Sequence, residues 1–249
     1  MPRTIVVGNW KMHKTAAQTR AFFDAFLPLV AAVAPEVEIV VAPPFTALSA
    51  AHDALAANRR VALGAQNVHW KSHGAFTGEI SVPMLAEFGV RYTIVGHSER
   101  RAHFGETDHT VNLKVKALLA HDITPIVAVG ETHEEHEAGH AQRRVVTQTR
   151  AALEDLDRGE VARVVLAYEP IWAIGTGANC EAFQADRVMA AMRECVDGLQ
   201  DVPILYGGSV KADNAGAYVA QPNIDGGLVG GASLEPQPFA ALIEAAARA

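Results

Sequence analysis

Short unbroken apolar runs alternate along this chain with longer stretches in which apolar residues recur at helical spacing. The runs are rich in β-branched residues and bounded by turn residues, as in strands buried on both faces. They predict eight strands, at residues 5–8, 37–41, 61–64, 92–96, 123–130, 161–169, 203–207 and 226–230. The intervening stretches predict helices at residues 16–33, 45–57, 111–120, 142–156, 183–199 and 238–247.

Strict alternation of strand and helix predicts an α/β protein whose strands are parallel. Eight such units without a break in composition favour closure into a (β/α)8 barrel, the TIM-barrel architecture. An open, doubly wound sheet is the second alternative. No linker or low-complexity segment divides the chain, so we expect one domain over residues 1–249.

Composition narrows the classes of protein and partner. Hydrophobic residues make up 49% of the 249 residues and charged residues 20%, and no apolar run is long enough to cross a membrane. The first apolar run is too short for a secretory signal, and Cys180 and Cys195 form no disulfide framework, so we expect a cytoplasmic protein. The net charge of -7 and scattered basic residues argue against nucleic acid as a partner.

Polar residues and glycines collect where the predicted strands end. The carboxyl ends of barrel strands share one face, and enzymes of this architecture carry their chemistry there. Strands commonly end in turn residues, but a lysine, a histidine and glutamates together indicate a site. The residues at this rim are Asn9, Lys11, His97, Glu99, Glu131, Glu169, Gly207, Gly208, Ser209, Gly230 and Gly231.

Six sequence motifs, in order and spread from end to end, resemble the triosephosphate isomerase family. They are Gly8-Asn-Trp-Lys-Met12, Gly74-Ala-Phe-Thr-Gly-Glu79, Val95-Gly-His-Ser-Glu-Arg-Arg101, Ala167-Tyr-Glu-Pro-Ile-Trp-Ala-Ile-Gly-Thr-Gly177, Tyr206-Gly-Gly-Ser-Val210 and Gly230-Gly-Ala-Ser-Leu234. The resemblance implies interconversion of dihydroxyacetone phosphate and glyceraldehyde 3-phosphate by proton transfer between adjacent carbons, through an enediolate. That reaction needs a base, an electrophile and a phosphate-binding group.

By this resemblance Glu169 is the catalytic base and His97 polarises the substrate carbonyl as a neutral imidazole. A carboxylate becomes a stronger base when it is desolvated, which a loop closing over Glu169 supplies. Ser98 looks like a helix start, and a helix N-terminus facing the ring disfavours imidazolium. Lys11 is the fixed cation near the oxyanion and the phosphate, and Asn9 the oxyanion donor. Glu99 resembles a second carboxylate beside Lys11, either a structural partner or a proton shuttle.

Phosphate binding by this resemblance relies mostly on backbone groups. The expected binding residues are Gly175, Ser209, Gly230 and Gly231, because glycine allows close backbone approach. We expect no cofactor, since nucleotide-binding fingerprints are absent. The stretch from His136 to His140 matches the HExxH zinc pattern, but Gly139 weakens the helix that would align both histidines, so we expect no metal site.

The loop from Gly74 to Gly78 implies a homodimer, because in the family this loop enters a pocket of a second subunit. Thr77 would then support the active-site asparagine and lysine across the interface. Two further function classes stay open: another phosphosugar barrel enzyme, such as an epimerase or aldolase, and a non-catalytic phosphosugar-binding protein. The four residues Asn9, Lys11, His97 and Glu169 argue against a binder, which needs no base.

Overall fold

Eight parallel strands close into a barrel in the computed structural model, which describes residues 4–174 and 180–248. Each strand pairs with its neighbours in chain order, and the first pairs with the last. The strands are β1 (Ile5–Asn9), β2 (Glu38–Ala42), β3 (Val61–Ala65), β4 (Tyr92–Val95), β5 (Thr124–Val129), β6 (Val165–Tyr168), β7 (Ile204–Tyr206) and β8 (Gly226–Val229). The predicted barrel is therefore confirmed.

Helices surround the barrel. Over the described ranges they are α1 (Ala16–Val30), α2 (Leu48–Leu55), α3 (Val82–Glu87), α4 (Ser98–His103), α5 (Asp108–Leu119), α6 (His133–Glu137), α7 (Ala141–Ala152), α8 (Arg158–Val161), α9 (Ala182–Glu194), α10 (Ala215–Val219) and α11 (Pro236–Ala247). Within the same ranges, 3-10 turns lie at Phe45–Ala47, Ile171–Ala173, Leu199–Asp201 and Gly231–Ser233. Among the described helices, none has both the length and the apolarity that crossing a membrane would require.

Two layers of apolar side chains hold these elements together. Ile5 and Val7 point into the barrel with side chains from the other strands, while Val6 points outward to the helices. All three are fully buried, which explains why the strands read as continuous apolar runs. Because both layers are apolar, the polar residues that can carry chemistry lie at the ends of the barrel.

Closure between β1 and β8 depends on Gly226. This residue has φ +137° and pairs with Ile5, and a Cβ added to it would lie 1.9 Å from the Ile5 carbonyl oxygen. Only glycine permits that approach in this backbone conformation. The pairing from Ile5 to Gly8 against Gly226 to Val229 excludes the open sheet.

The predicted strand at residues 161–169 is wrong in its first four residues. The structure places Val161 at the end of α8 and starts β6 at Val165. Asp157 caps α8 by accepting the Glu160 N–H at 2.8 Å, and Glu160 accepts the Asp157 N–H at 3.0 Å. This capping box starts a helical turn that the β-branched residues alone conceal. Predicted helices 16–33, 142–156 and 183–199 also end earlier, at Val30, Ala152 and Glu194.

Candidate active site

A cavity of about 270 Å³ opens at the carboxyl ends of the strands. Seven of the predicted site residues line it together: Asn9, Lys11, His97, Glu169, Ser209, Gly230 and Gly231. They come from β1, β4, β6, β7 and β8 or the loops that follow them, so the closed barrel brings together residues far apart in sequence. Together with Gly207 and Gly208, they make up nine of the eleven rim residues predicted from the sequence, whereas Glu99 and Glu131 do not line the cavity.

Glu169 directly follows β6 and faces His97 across the cavity floor. Its side chain is 3% exposed, its Oε1 lies 3.0 Å from His97 Nε2, and its Oε2 accepts the Ser98 N–H at 2.8 Å. Burial raises the pKa of Glu169, but His97 and the Ser98 N–H outweigh burial and hold it below its usual range. The Glu169 carboxylate is therefore ionised in the free protein, buried and ready to accept a proton.

His97 stands at the N-terminus of α4, where the Glu99 N–H donates to its Nδ1 at 3.2 Å. Burial lowers the pKa of His97, but the carboxylates of Glu169 and Glu99 outweigh burial and raise it. The hydrogen bond to Nδ1 disfavours protonation of the ring, because a proton on Nδ1 would face the Glu99 N–H. This geometry fits the neutral ring with its proton on Nε2, so that His97 lowers the pKa of Glu169 through the hydrogen bond that Nε2 donates.

Lys11 follows β1 with φ +51°, in the left-handed region that a non-glycine residue rarely adopts. Its N–H donates to Asn9 Oδ1 at 3.1 Å, and its Nζ lies 2.6 Å from Glu99 Oε1. A Cβ added at Gly230 would lie 3.9 Å from Lys11 Nζ. The ammonium group thus lies between Glu99 and the glycine end of β8, on the cavity wall.

The loops that follow β7 and β8 form another part of the cavity wall. A Cβ on Gly207 would lie 2.9 Å from Glu169 Cγ, so glycine lets this backbone approach the carboxylate closely. Ser209 Oγ donates to the Ala173 carbonyl at 3.0 Å and ties the β7 end to the segment after β6. Gly231 starts a 3-10 turn, whose first N–H groups have no partner within the turn and can bind an anion.

Two of the predicted site residues lie outside this cavity. Glu99 contacts Lys11, but its side chain is 44% exposed and does not line the cavity. Thr77 is exposed in the loop between β3 and α3 and lines a separate cavity with Phe76 and Phe104. Gly175 lies outside the described residues.

The sequence patterns missed two polar residues near the cavity. Lys211 lines it and adds a second lysine. Gln66, just after β3, donates from Nε2 to the carbonyl oxygens of Lys11 and Ala42, both at 2.9 Å. A glutamine beyond a strand end carries no distinctive signal, and only the closed barrel shows which carbonyl groups it meets.

Glu131, at the end of β5, points away from the cavity. Its Oε1 accepts hydrogen bonds from Tyr168 OH at 3.0 Å and Trp172 Nε1 at 2.8 Å, and burial raises its pKa. The ring of His136 stacks on Trp172 with centroids 4.1 Å apart. Glu131 therefore holds the segment that follows Glu169 and does not face the reacting groups.

The HExxH match does not form one helical face. The helix α6 ends at Glu137, and Gly139 has φ +71°, which turns the chain before His140. His136 instead stacks on Trp172. The two imidazoles are therefore not presented one turn apart, as a zinc site of this kind requires.

Comparison with known proteins shows one family that this chain matches over most of its length. The family model described as triosephosphate isomerase matches residues 4–246. The triosephosphate isomerase of Synechocystis sp. is 50% identical over 243 residues, which cover 98% of this chain and 98% of the relative. That of Symbiobacterium thermophilum is 52% identical over 255 residues, covering 100% of this chain and 99% of the relative. That of Picosynechococcus sp. is 51% identical over 243 residues, covering 98% and 99%.

Proposed function

The chain belongs to the triosephosphate isomerase family, and from that premise we propose that Glu169, His97, Lys11 and Asn9 carry out its reaction in the rim cavity. The enzyme interconverts dihydroxyacetone phosphate and glyceraldehyde 3-phosphate. This decides against the epimerase, aldolase and binding-protein alternatives. The observation that carries the assignment of roles is the contact between an ionised, buried Glu169 and His97 Nε2, beside Lys11.

Glu169 acts as the base that moves the proton between the two carbons. In the free protein His97 and the Ser98 N–H lower the pKa of Glu169 against the effect of burial. A substrate that takes the place of the His97 contact removes part of that stabilisation and leaves burial, so the carboxylate becomes more basic as substrate binds. The arrangement stabilises the carboxylate before binding and strengthens it as a base afterwards.

His97 acts as the electrophile through Nε2. Because the Glu99 N–H occupies Nδ1, the ring offers its proton at Nε2, the atom that faces the cavity. Donation from Nε2 to the substrate carbonyl oxygen stabilises the negative charge of the enediolate. Asn9 Oδ1 is engaged by the Lys11 N–H, which leaves the Asn9 amide N–H groups as donors for the same oxygen.

Lys11 provides the positive charge that an acidic protein needs for an anionic substrate. The chain carries a net charge of -7, so attraction of a phosphate must come from local groups. Lys11 Nζ lies close to Gly230, and Ser209 and Gly231 line the same cavity. We assign the phosphate to this wall, with Gly175 as a further contact from outside the described residues.

The enzyme also acts as a homodimer in this proposal, through the loop from Gly74 to Gly78. Phe76 and Phe104 line one cavity with Thr77 and are 42% and 67% exposed, and Met12 is 94% exposed. Such side chains indicate an interaction surface. Analytical ultracentrifugation should give a dimer mass, and Thr77→Arg should shift it toward monomer while Thr147→Arg, on α7, leaves it unchanged. A monomer mass for the unaltered protein would contradict the dimer.

We place the enzyme in the cytoplasm, acting without a cofactor. Proton transfer between a carboxylate and adjacent carbons requires no electron carrier. Cys180 and Cys195 are both free thiols, which suits a reducing compartment. Cell fractionation followed by the isomerase assay tests the location, and activity confined to a membrane or exported fraction would refute it.

The decisive experiment is a coupled isomerisation assay on purified Glu169→Gln. The substitution keeps the size of the side chain and removes its basicity, so turnover should fall by orders of magnitude, roughly 10²-fold or more. Inorganic phosphate should still compete at the phosphate site, because the substitution leaves Lys11, Ser209, Gly230 and Gly231 unaltered. Glu137→Gln, on α6, is the control. Near-normal turnover in Glu169→Gln would refute the role of this residue.

A further inference from the structure

We propose that Gln66 is a positioning residue for Lys11, holding the backbone of this lysine so that its ammonium group meets the substrate phosphate. Both N–H bonds of the Gln66 amide are used: one reaches the Lys11 carbonyl and the other the Ala42 carbonyl, each at 2.9 Å. The inference rests on the proposed role of Lys11. It adds a residue that does not itself contact the substrate.

Lys11 needs such a restraint because its backbone is in an unfavourable conformation. With φ +51°, a lysine adopts the left-handed region at a cost that the surrounding structure must offset. Its N–H is held by Asn9 Oδ1 at 3.1 Å and its carbonyl by Gln66. These two bonds hold the residue on both sides of its Cα, while Glu99 holds only the mobile end of the side chain.

Gln66 is well placed for this because it joins three strand ends. The residue follows β3, the Ala42 carbonyl ends β2, and Lys11 follows β1. The Ala42 carbonyl also accepts the Trp10 N–H at 3.2 Å, so the segment before Lys11 is anchored to the same atom. Trp10 is fully buried. The Gln66 amide therefore fixes the backbone of Lys11 relative to the strands of the barrel and not relative to a loop.

Gln66 acts through Lys11, since the rim cavity is lined by Lys11 but not by Gln66. Without the amide, the Lys11 carbonyl loses its donor and the left-handed conformation loses one of its two backbone restraints. The ammonium group then samples positions farther from Gly230 and the phosphate site. Binding of the phosphate should suffer more than the proton transfer at Glu169.

The test compares Gln66→Leu and Gln66→Glu with the unaltered enzyme. Leucine removes both donors, and we expect the inhibition constant of inorganic phosphate and the KM for triose phosphate to rise about tenfold, equivalent to about 1.4 kcal/mol. The kcat should fall less than the KM rises. Glutamate turns carboxylate oxygens toward two carbonyl oxygens, so its effect should exceed that of leucine at neutral pH. Glyceraldehyde, which lacks the phosphate, should be isomerised at nearly the unaltered rate by Gln66→Leu.

The matched control is Gln142→Leu, because Gln142 Nε2 also donates to a backbone carbonyl, that of Arg187, but on the outer helices. The control should leave every constant unchanged. The inference is overturned if Gln66→Leu leaves the phosphate inhibition constant unchanged, or if triose phosphate and glyceraldehyde lose activity equally. Lys11→Met, measured in parallel, separates the two proposals. If Lys11→Met leaves the phosphate inhibition constant unchanged, the proposed role of Lys11 itself is refuted. If Lys11→Met raises that constant and Gln66→Leu does not, only the positioning role of Gln66 is refuted.

Discussion

The carboxylate of Glu106 should be a major source of stability next to the active site. It accepts hydrogen bonds from the Gly96 N–H at 2.8 Å and Arg100 Nε at 2.7 Å, and lies 3.1 Å from Lys114 Nζ. The side chains of Glu106 and Lys114 are only 2% and 6% exposed. Because Gly96 immediately precedes His97, the same carboxylate also anchors the segment that carries the imidazole.

Replacing Glu106 with Gln keeps the volume of the side chain but removes its charge. Lys114 would keep its hydrogen bond to Asn67 Oδ1 at 2.8 Å, yet its buried ammonium group would lose its countercharge. Burial lowers the pKa of Lys114, and Glu106 offsets this only in part. Removing one partner of a buried ion pair costs about 3–5 kcal/mol, and we expect the free energy of unfolding to fall by that amount.

The assay is urea unfolding followed by circular dichroism, at one fixed protomer concentration because the proposed association into a dimer would contribute to stability. The control is Glu244→Gln, which breaks the exposed pair with Arg248 at 3.1 Å and should cost about 0–1 kcal/mol. The double variant Glu106→Leu with Lys114→Met removes both charges and should recover part of the loss. A loss in Glu106→Gln no larger than in the control would refute the reasoning.

The pH dependence of stability gives an independent check on Glu106. Burial raises the pKa of Glu106, but Lys114 and the hydrogen bonds from Gly96 and Arg100 outweigh burial and lower it. Its contribution is therefore fully present above the pKa of an unfolded glutamate and is lost as the pH falls through the lowered pKa of the folded state. The stability difference between the unaltered enzyme and Glu106→Gln should shrink as the solution is acidified. A difference that stays constant over that range would contradict the assignment.

Three further outcomes follow from the site and the barrel. His97→Gln should lower kcat about 10²- to 10³-fold. Because His97 lowers the pKa of Glu169, the acid limb of the pH profile of kcat/KM should also move to higher pH. An acid limb that stays in place would show that His97 does not set the pKa of Glu169. Lys11→Met should weaken competition by inorganic phosphate in the coupled assay, whereas unchanged competition would place the phosphate elsewhere. Gly226→Ala should impair folding, since its Cβ would collide with the Ile5 carbonyl, and a normal thermal unfolding midpoint would show that the strand junction yields.

Much of the fold followed from local pattern because each strand is buried on both faces. Ile5, Val6 and Val7 read as one apolar run whichever way each side chain points, and the carboxyl-end residues Asn9, His97 and Glu169 follow such runs directly. The start of β6 was not predicted, because the β-branched Val161 reads as a strand residue although it lies in a helical turn. There, the capping box of Asp157 and Glu160 outweighs β propensity.

The sequence by itself determined the eight strands, their common rim and the residue types gathered there. Strand direction and apolar burial follow from the local pattern of residues along the chain. Only the tertiary structure decided how those groups interact: that the Glu99 N–H fixes the tautomer of His97, that Ser98 and His97 hold Glu169 ionised, and that Gln66 reaches the Lys11 carbonyl. The contacts of Glu169 and of Gln66 join segments that follow different strands, and their energies depend on distances and burial that exist only once the barrel is closed.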